Sequence, residues 1–360
     1  MELLRKLRGF LSNPKTKLWW ATHNFGRIPL LIRQRRPGAL IGYVVAGATG
    51  ISVYGYYIRF LISRSGEVIE RMIRGNPMKL NLRDDGLSRD LFIYGVREER
   101  GTELFERELE RVAETVDEGV VIEIGANIGY FALMELNALG DSPSLVAFEP
   151  DERSAALLER NLDLNGYRDA ATVERAAVGS ECGTAEFELL EHSNLNKVKD
   201  ELTVDPEYEV DRTVTVDMWS IDSYLDVHDI DPESVVAARM DVEGYEVEVL
   251  RGMDRVLSAP GPLVLSLEIH PGRLRSSDIR DLGKRLDNSG FEVVEALTES
   301  ITVYPFVDAN VRDVDSVRSL PHEGPAYNII LRKPAPTRTQ SSQQIDSTEQ
   351  LAKGCRQLGR

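Results

Sequence analysis

Cysteine is nearly absent from this chain of 360 residues: Cys182 and Cys355 stand far apart, the second in a polar tail. Neither a disulfide framework nor a zinc spacing can be built from them, which points to a reducing compartment and two unremarkable thiols. Positive charge is in deficit too. The formal net charge is −16, so phosphate is repelled over most of the surface and a general nucleic-acid binder is excluded. Such acidity also suits a protein that must stay soluble in high salt. Long apolar runs are scarce. The one uncharged stretch, residues 39–58, has the length of a bilayer span but is diluted by Gly42, Gly47, Gly50, Gly55, Thr49 and Ser52. It starts too late and has the wrong layout for a cleaved signal peptide. No internal repeat is visible.

What the chain does have is 42% hydrophobic residues, enough for a sizeable core. Charge is unevenly distributed: before residue 76, Lys and Arg outnumber Asp and Glu several-fold. The composition predicts a basic N-terminal helical region over 1–75, a catalytic domain over 76–333 and a disordered polar tail over 334–360. A single span after Arg35 and Arg36 would place the catalytic domain outside. A helical segment lying on the cytoplasmic membrane face or packed on the domain is therefore the preferred reading. That makes the protein cytoplasmic, with peripheral membrane contact through residues 1–75. Its oligomeric state cannot be read from the sequence.

From residue 76 the pattern alternates strands and helices. Val120–Ile124, Ser144–Phe148, Thr172–Val178, Val235–Asp241, Leu263–Ile269, Phe291–Ala296 and Tyr327–Leu331 read as sheet strands. Thr184–Leu190 and Arg212–Met218 read as extra strands around a polar loop. Helices follow several strands, and Tyr245 to Met253 reads as one of them. This implies an α/β, doubly wound sheet. In Val121–Tyr130 a strand ends in an acid, the chain turns on Gly125, and Gly129 opens a helix. Small residues let the backbone approach a ligand, and the helix N-terminus attracts a carboxylate. The spacing lacks the third glycine of dinucleotide sites. It fits S-adenosylmethionine, which has no pyrophosphate. Glu123 is placed to meet the cationic amino end and Glu149 to accept the ribose hydroxyls. Glu123, Gly125, Asn127, Gly129 and Glu149 form the expected cofactor set. The plain alternative is that Gly125 and Gly129 merely permit tight strand–helix packing.

Glu123–Tyr130, Ala147–Pro150, Met240–Glu246 followed by Val249–Gly252, and Leu267–His270 together resemble the FkbM family of methyltransferases, with Asp84–Gly95 matching its leading segment. The resemblance covers about residues 76–332. It implies a class I, Rossmann-like methyltransferase fold with a mainly parallel sheet and an antiparallel last strand. It also implies S-adenosylmethionine as cofactor and O-methylation of a sugar, glycan or specialised metabolite. The family commonly has Asp where this chain has Glu123.

At the acceptor end, Asp241 with Glu243 and Glu268 with His270 end neighbouring strands, each pair two residues apart and so on one face. Either His270 takes the hydroxyl proton, oriented by Glu268 or Asp241, or Asp241 and Glu268 hold Mg²⁺, which acidifies the hydroxyl. The bland reading makes Asp241 and Glu243 a helix cap. The loop Glu191–Asn196 lines a polyol acceptor or is plain surface. Asn161 and Asn165 read as a packing residue and a helix stop. Two rivals stay open: a Rossmann dehydrogenase, and a membrane-anchored, non-catalytic binding module on the same fold.

Overall fold

The computed structural model describes residues 32, 39–44, 54–84, 86–116, 118–140, 143–190, 192–199, 210–299, 308–310 and 314–334. The basic segment before residue 32, most of 33–53 and the tail from 335 lie outside the described residues, and with them the expectations placed there. Among the described residues, no helix is long and apolar enough to cross a membrane.

Helix α1 (Tyr54–Ser65) leads into a hairpin of β1 (Val68–Ile73) and β2 (Asn76–Asn81), then α2 (Leu87–Tyr94) and α3 (Glu99–Ala113). The alternating core follows: β3 (Gly119–Ile124), α4 (Tyr130–Leu139), β4 (Pro143–Phe148), α5 (Glu152–Leu164) and β5 (Ala171–Glu174). A smaller sheet is formed by β6 (Ala176–Val178), β7 (Gly183–Leu190), β8 (Lys197–Val198) and β9 (Val210–Trp219). The chain then returns through α6 (Ile221–Val227), β10 (Val235–Met240), α7 (Glu246–Arg251), α8 (Asp254–Ser258) and β11 (Leu263–Ile269). It finishes with α9 (Ser276–Asn288), β12 (Glu292–Glu299), β13 (Asp308–Asn310) and β14 (Tyr327–Lys333).

The main sheet has the order β13-β12-β14-β11-β10-β3-β4-β5. Strands β5 to β11 are parallel, and β14 runs antiparallel to both β11 and β12. This is the expected class I arrangement with its antiparallel last strand. Its central strands read as unbroken apolar runs because both faces are covered. Val121, Leu145 and Ala237 pack with α3, α4 and α5. Ile122, Val146 and Ala238 pack on the opposite face with α6, α7 and α9. The chain moves outward from β3 to β4 and β5, then jumps back to β10 on the other side of β3. The strand order therefore reverses between β3 and β10, and a crevice opens outside their carboxyl ends.

Two expected elements are redrawn. The strand expected over Thr172–Val178 is divided at Arg175: β5 joins the main sheet, while β6 pairs in parallel with β9 in the small one. No turn residue marks this change of partner, so local pattern could not show it. The helix expected from Tyr245 to Met253 is α7, which ends at Arg251 with Gly252 as its cap, and α8 begins beyond it. A Cβ at Gly252 would stand 2.2 Å from the Gly179 carbonyl oxygen.

The boundary expected after residue 75 falls in the turn of the β1–β2 hairpin, whose Ile73, Met78 and Leu80 are core residues. Asn161 on α5 secures this hairpin. Its Oδ1 accepts from the Lys79 N–H at 2.6 Å, and its Nδ2 donates to the Ile128 carbonyl at 2.8 Å and the Lys79 carbonyl at 3.3 Å. Asn165 caps α5 and donates to the Pro77 carbonyl at 2.9 Å. Asn161→Leu should leave the Lys79 N–H without its acceptor and lower stability by about 2–3 kcal/mol, the cost of an unsatisfied buried group plus strain. Urea unfolding of the two proteins measures this. A change below about 0.5 kcal/mol would show that the hairpin is not held here.

Candidate active site

The crevice at the switch point is a cleft of about 820 Å³, open mouth included. Gly125 forms its floor. It sits at φ +80°, and a Cβ on it would lie 2.2 Å from the Asp241 carbonyl oxygen. Glycine is required because β10 approaches there, whether or not a ligand is present. The Gly125 and Ala126 N–H groups donate to the Phe148 carbonyl at 3.0 and 3.1 Å, tying the loop to the end of β4. Glu149 follows, also on the cleft wall. It accepts from the Asn127 N–H and the Asp151 N–H, both at 2.8 Å. Burial pushes its pKa up to about 7, against the pull of those two N–H groups. Asn127 also lines the cleft, with its Oδ1 buried and without a hydrogen bond.

Gly125, Asn127 and Glu149 of the expected cofactor set thus line the cleft, and Glu123 and Gly129 do not. Gly129 serves helix packing: a Cβ on it would stand 2.6 Å from Leu158 Cδ1. Glu123 is fully buried and outside the cleft lining. In the parallel register it lies beside Arg239 of β10, so the two side chains share a face. Arg239 Nη1 donates to Glu123 Oε1 at 2.9 Å. Arg239 also stacks on Phe131, its guanidinium carbon 3.4 Å from the ring centroid. Burial raises the Glu123 pKa, with Arg239 opposing. The adjacent Glu135 of α4 is raised well above the usual carboxylate range by burial and then by Glu123.

Of the four acceptor-end candidates, Asp241 lines the cleft. Its Oδ1 is buried without a hydrogen bond, and its Oδ2 is 3.7 Å from Arg239 Nη2. Glu268 stands next to it. Oxygens of Glu98, Asp241 and Glu268 all lie within 4.8 Å of one another, as do ligand atoms of Asp241, Glu243 and His270. Burial, with the charges of Asp241 and Glu98, holds Glu268 protonated well above the usual carboxylate range. His270 has other partners than expected. Its Nδ1 is 2.7 Å from Glu246 and its Nε2 is 3.2 Å from Glu243, with Glu268 farther off at 3.8 Å. Burial alone would lower its pKa, but Glu243 and Glu246 raise it well above the usual histidine value. His270 is an imidazolium and has no lone pair with which to take a proton. Glu243, at φ +56°, binds Arg273 as well, and His270 and then Arg273 hold its pKa down against burial. It is neither a helix cap nor a group on the cleft wall.

Ser193, Asn194 and Asn196 of the polar loop line the cleft, while His192 does not and Glu191 lies outside the described residues. Ser193 is anchored by its N–H and Oγ to Asp84, at 3.1 and 2.8 Å. Sequence reasoning missed two groups. Arg239 could have been found, because a charged residue inside an otherwise apolar strand needs a buried partner. Glu98 could not: it sits in a run of charged residues that reads as a solvated helix face.

Residues 123–293 match the family model described as Methyltransferase FkbM domain. No curated protein matches the chain. Among solved structures, a precorrin-6y C5,15-methyltransferase from Geobacter metallireducens shares 16% identity over 66% of this chain and 90% of its own, with a TM-score of 0.35. An S-adenosylmethionine-dependent methyltransferase from Agrobacterium tumefaciens shares 10% over 75% and 71%, with a TM-score of 0.39. M. jannaschii TYW2, solved with S-adenosylmethionine, shares 9% over 74% and 84%, with a TM-score of 0.36.

The raised His270 pKa carries a stability signature. A histidine protonated more tightly in the folded state stabilises the fold fully below its unfolded pKa of about 6.5, and loses that contribution as pH rises through the folded value. Glu246→Gln should therefore cost about 3 kcal/mol near pH 6 and progressively less in alkali. Unfolding at several pH values, with ¹⁵N NMR of the ring, checks it. A ring already neutral at pH 7 in the parent would overturn the assignment.

Proposed function

We propose, from the premise that residues 123–293 are a methyltransferase FkbM domain and the chain is an S-adenosylmethionine-dependent methyltransferase, that its acceptor is a hydroxyl of a sugar, glycan or specialised metabolite. The dehydrogenase alternative falls with that premise. The residues on the cleft wall suit the cofactor: Glu149 retains lone pairs for the ribose hydroxyls, and Asn127 Oδ1, buried without a protein partner, is left to accept from it. Bound S-adenosylmethionine supplies a methyl group already activated on a sulfonium. What remains for the chain is to orient the acceptor, exclude water and take its proton.

The observation that carries the reading is Asp241 Oδ1, a carboxylate oxygen buried on the cleft wall with no partner of its own. It is the group proposed to accept the hydroxyl proton. Glu268, holding its proton, donates a hydrogen bond at the same place. Asn194 and Asn196 on the facing loop offer amides to neighbouring hydroxyls of a polyol. His270 orients the segment through Glu243 and Glu246 and does not act as the base. The alternative of Mg²⁺ on Asp241 and Glu268 fits this donor set poorly. Arg239 Nη2 already stands 3.7 Å from Asp241 and supplies a positive charge there.

We further propose peripheral contact of residues 1–75 with the cytoplasmic face of an anionic membrane. Supporting this are the basic residues of 1–53, which carry most of the Lys and Arg of that region, and the exposed Ile41. Flotation with phosphatidylserine vesicles at low salt should carry the full chain upward. A chain starting at residue 54, which keeps α1 and the β1–β2 hairpin, should stay behind. Equal flotation of both proteins, or of neither, removes the membrane role.

The acceptor is sought with labelled methyl and cell-surface glycan extracts. The label should enter alkali-stable ethers, not alkali-labile esters. On the acceptor so found, Asp241→Asn should lower turnover by about a hundredfold or more, the usual scale for losing a general base. Cofactor affinity should stay within about threefold. A chelator should leave the parent enzyme at full rate. Near-parent turnover in Asp241→Asn, or loss of activity to the chelator with recovery on Mg²⁺, sinks this mechanism.

A further inference from the structure

The methionine end of the cofactor is a zwitterion, with an ammonium and a carboxylate on one carbon. Glu123, which the sequence offered for the ammonium, does not line the cleft, and its Oε1 is taken by Arg239. Two groups that do line the cleft carry the complementary charges: Glu98, 5% exposed, and Arg239, 2% exposed. We propose that Glu98 and Arg239 together clamp the zwitterionic end of S-adenosylmethionine, the Glu98 carboxylate taking the ammonium and Arg239 Nη2 the carboxylate. This rests on the cofactor assignment and is independent of what the acceptor is.

The geometry of the pair is unusual for a mere structural ion pair. Arg239 Nη2 is buried and makes no hydrogen bond, although Glu98 Oε2 is only 3.9 Å away. Free partners would close to about 2.7–2.9 Å. Here each is held from behind. Arg239 is fixed by its 2.9 Å bond to Glu123 and by the Phe131 ring beneath its guanidinium. Glu98 is fixed by Asn328 Nδ2 of β14, which donates to its Oε2 at 2.7 Å, and by Arg97 Nε at 3.4 Å. The backbone at Glu98 is left-handed, φ +46°, just ahead of α3. A non-glycine residue held there is strained. The fold thus keeps opposite charges near each other, desolvated and short of contact, as preorganised recognition requires. Glu98 and Asn328 both lie outside residues 123–293, so the acidic half of the clamp comes from segments that the family match does not cover, while Arg239 lies within it.

The test is calorimetric titration of the full-length protein with four probes. S-adenosylmethionine and S-adenosylhomocysteine carry the whole amino-acid end, decarboxylated S-adenosylmethionine keeps only the ammonium, and 5′-methylthioadenosine has neither. The parent should bind decarboxylated S-adenosylmethionine at least tenfold more weakly than S-adenosylmethionine, and methylthioadenosine more weakly than S-adenosylhomocysteine. Glu98→Gln, which still offers Asn328 an acceptor, should weaken the three ammonium-bearing probes tenfold or more and leave methylthioadenosine within twofold. Arg239→Lys keeps a charge against Glu123 but loses the second nitrogen. It should weaken S-adenosylmethionine and leave the decarboxylated analogue unchanged. If Arg239→Lys does not fold, the parent's own preference for the carboxylate decides that half. Equal loss on all four probes in Glu98→Gln, no loss at all, or a parent indifferent to the amino-acid end overturns the clamp while the cofactor assignment stands. A parent that binds none of the four overturns the cofactor assignment as well.

Discussion

A guanidinium buried at the centre of the sheet organises everything around it. Taking Arg239 out of water costs several kcal/mol unless its partners are close and well placed. Glu123 provides a direct hydrogen bond, and Glu98 and Asp241 lie within 3.9 Å of the same side chain. Together these acids raise the arginine pKa despite burial. The partners come from β3, from β10 and its end, and from the segment ahead of α3, while Phe131 and Glu135 of α4 pack against the group. The interaction therefore fixes in one place the elements that meet where the strand order reverses. A neutral residue at 239 would leave Glu123 and Glu135 facing each other in an apolar layer with no cation between them.

The same cluster explains how a fully buried set of acids coexists with an open cleft. Glu123 and Glu135 lie on the α4 side of the sheet, where burial raises the pKa of each. Asp241 is at the carboxyl end of β10, where the chain leaves the sheet and a side chain can reach the cavity. Arg239 spans the two regions, one nitrogen committed to Glu123 and the other turned to the cleft. A single side chain on one strand thus separates structural from ligand-facing electrostatics.

The sheet was legible because each central strand is a short apolar run of its own, and each following helix carries its stop signal. Gly125 and Glu149 were legible because strand-end chemistry is local: a turn that needs positive φ, and an acid where the strand ends. Orientation was not. Glu123 shares its face with Arg239 of the neighbouring strand, and it is Arg239 that stands between it and the cleft. Whether such an acid meets the ligand or a neighbouring strand depends on register, which only the partner strand defines. The same limit applies to His270. Two-residue spacing placed it with Glu268, but the turn after β10 brought Glu243 and Glu246 closer. Glu98 was beyond reach altogether, since its role rests on a left-handed backbone and on Asn328, which is 230 residues away in sequence.

The turn after β10 depends on the imidazolium. Between Asp241 and Tyr245 the chain carries Glu243 at φ +56° and Gly244 at φ +107°, a path that does not hold itself. Four contacts do the holding. Glu246 accepts from the Gly244 N–H at 2.9 Å and pairs with His270, whose other nitrogen meets Glu243, and Glu243 is also bound by Arg273. A neutral histidine could donate from one nitrogen only, so bridging two carboxylates requires the charged form. The result reaches the cleft through the backbone: the Asp241 carbonyl is held against Gly125, closely enough that no Cβ fits between them. The carboxylate of Asp241 thereby projects from a main chain fixed on both sides. That placement is what in-line alignment of an acceptor demands, because a shift of about 1 Å at such a group can cost about a hundredfold in rate.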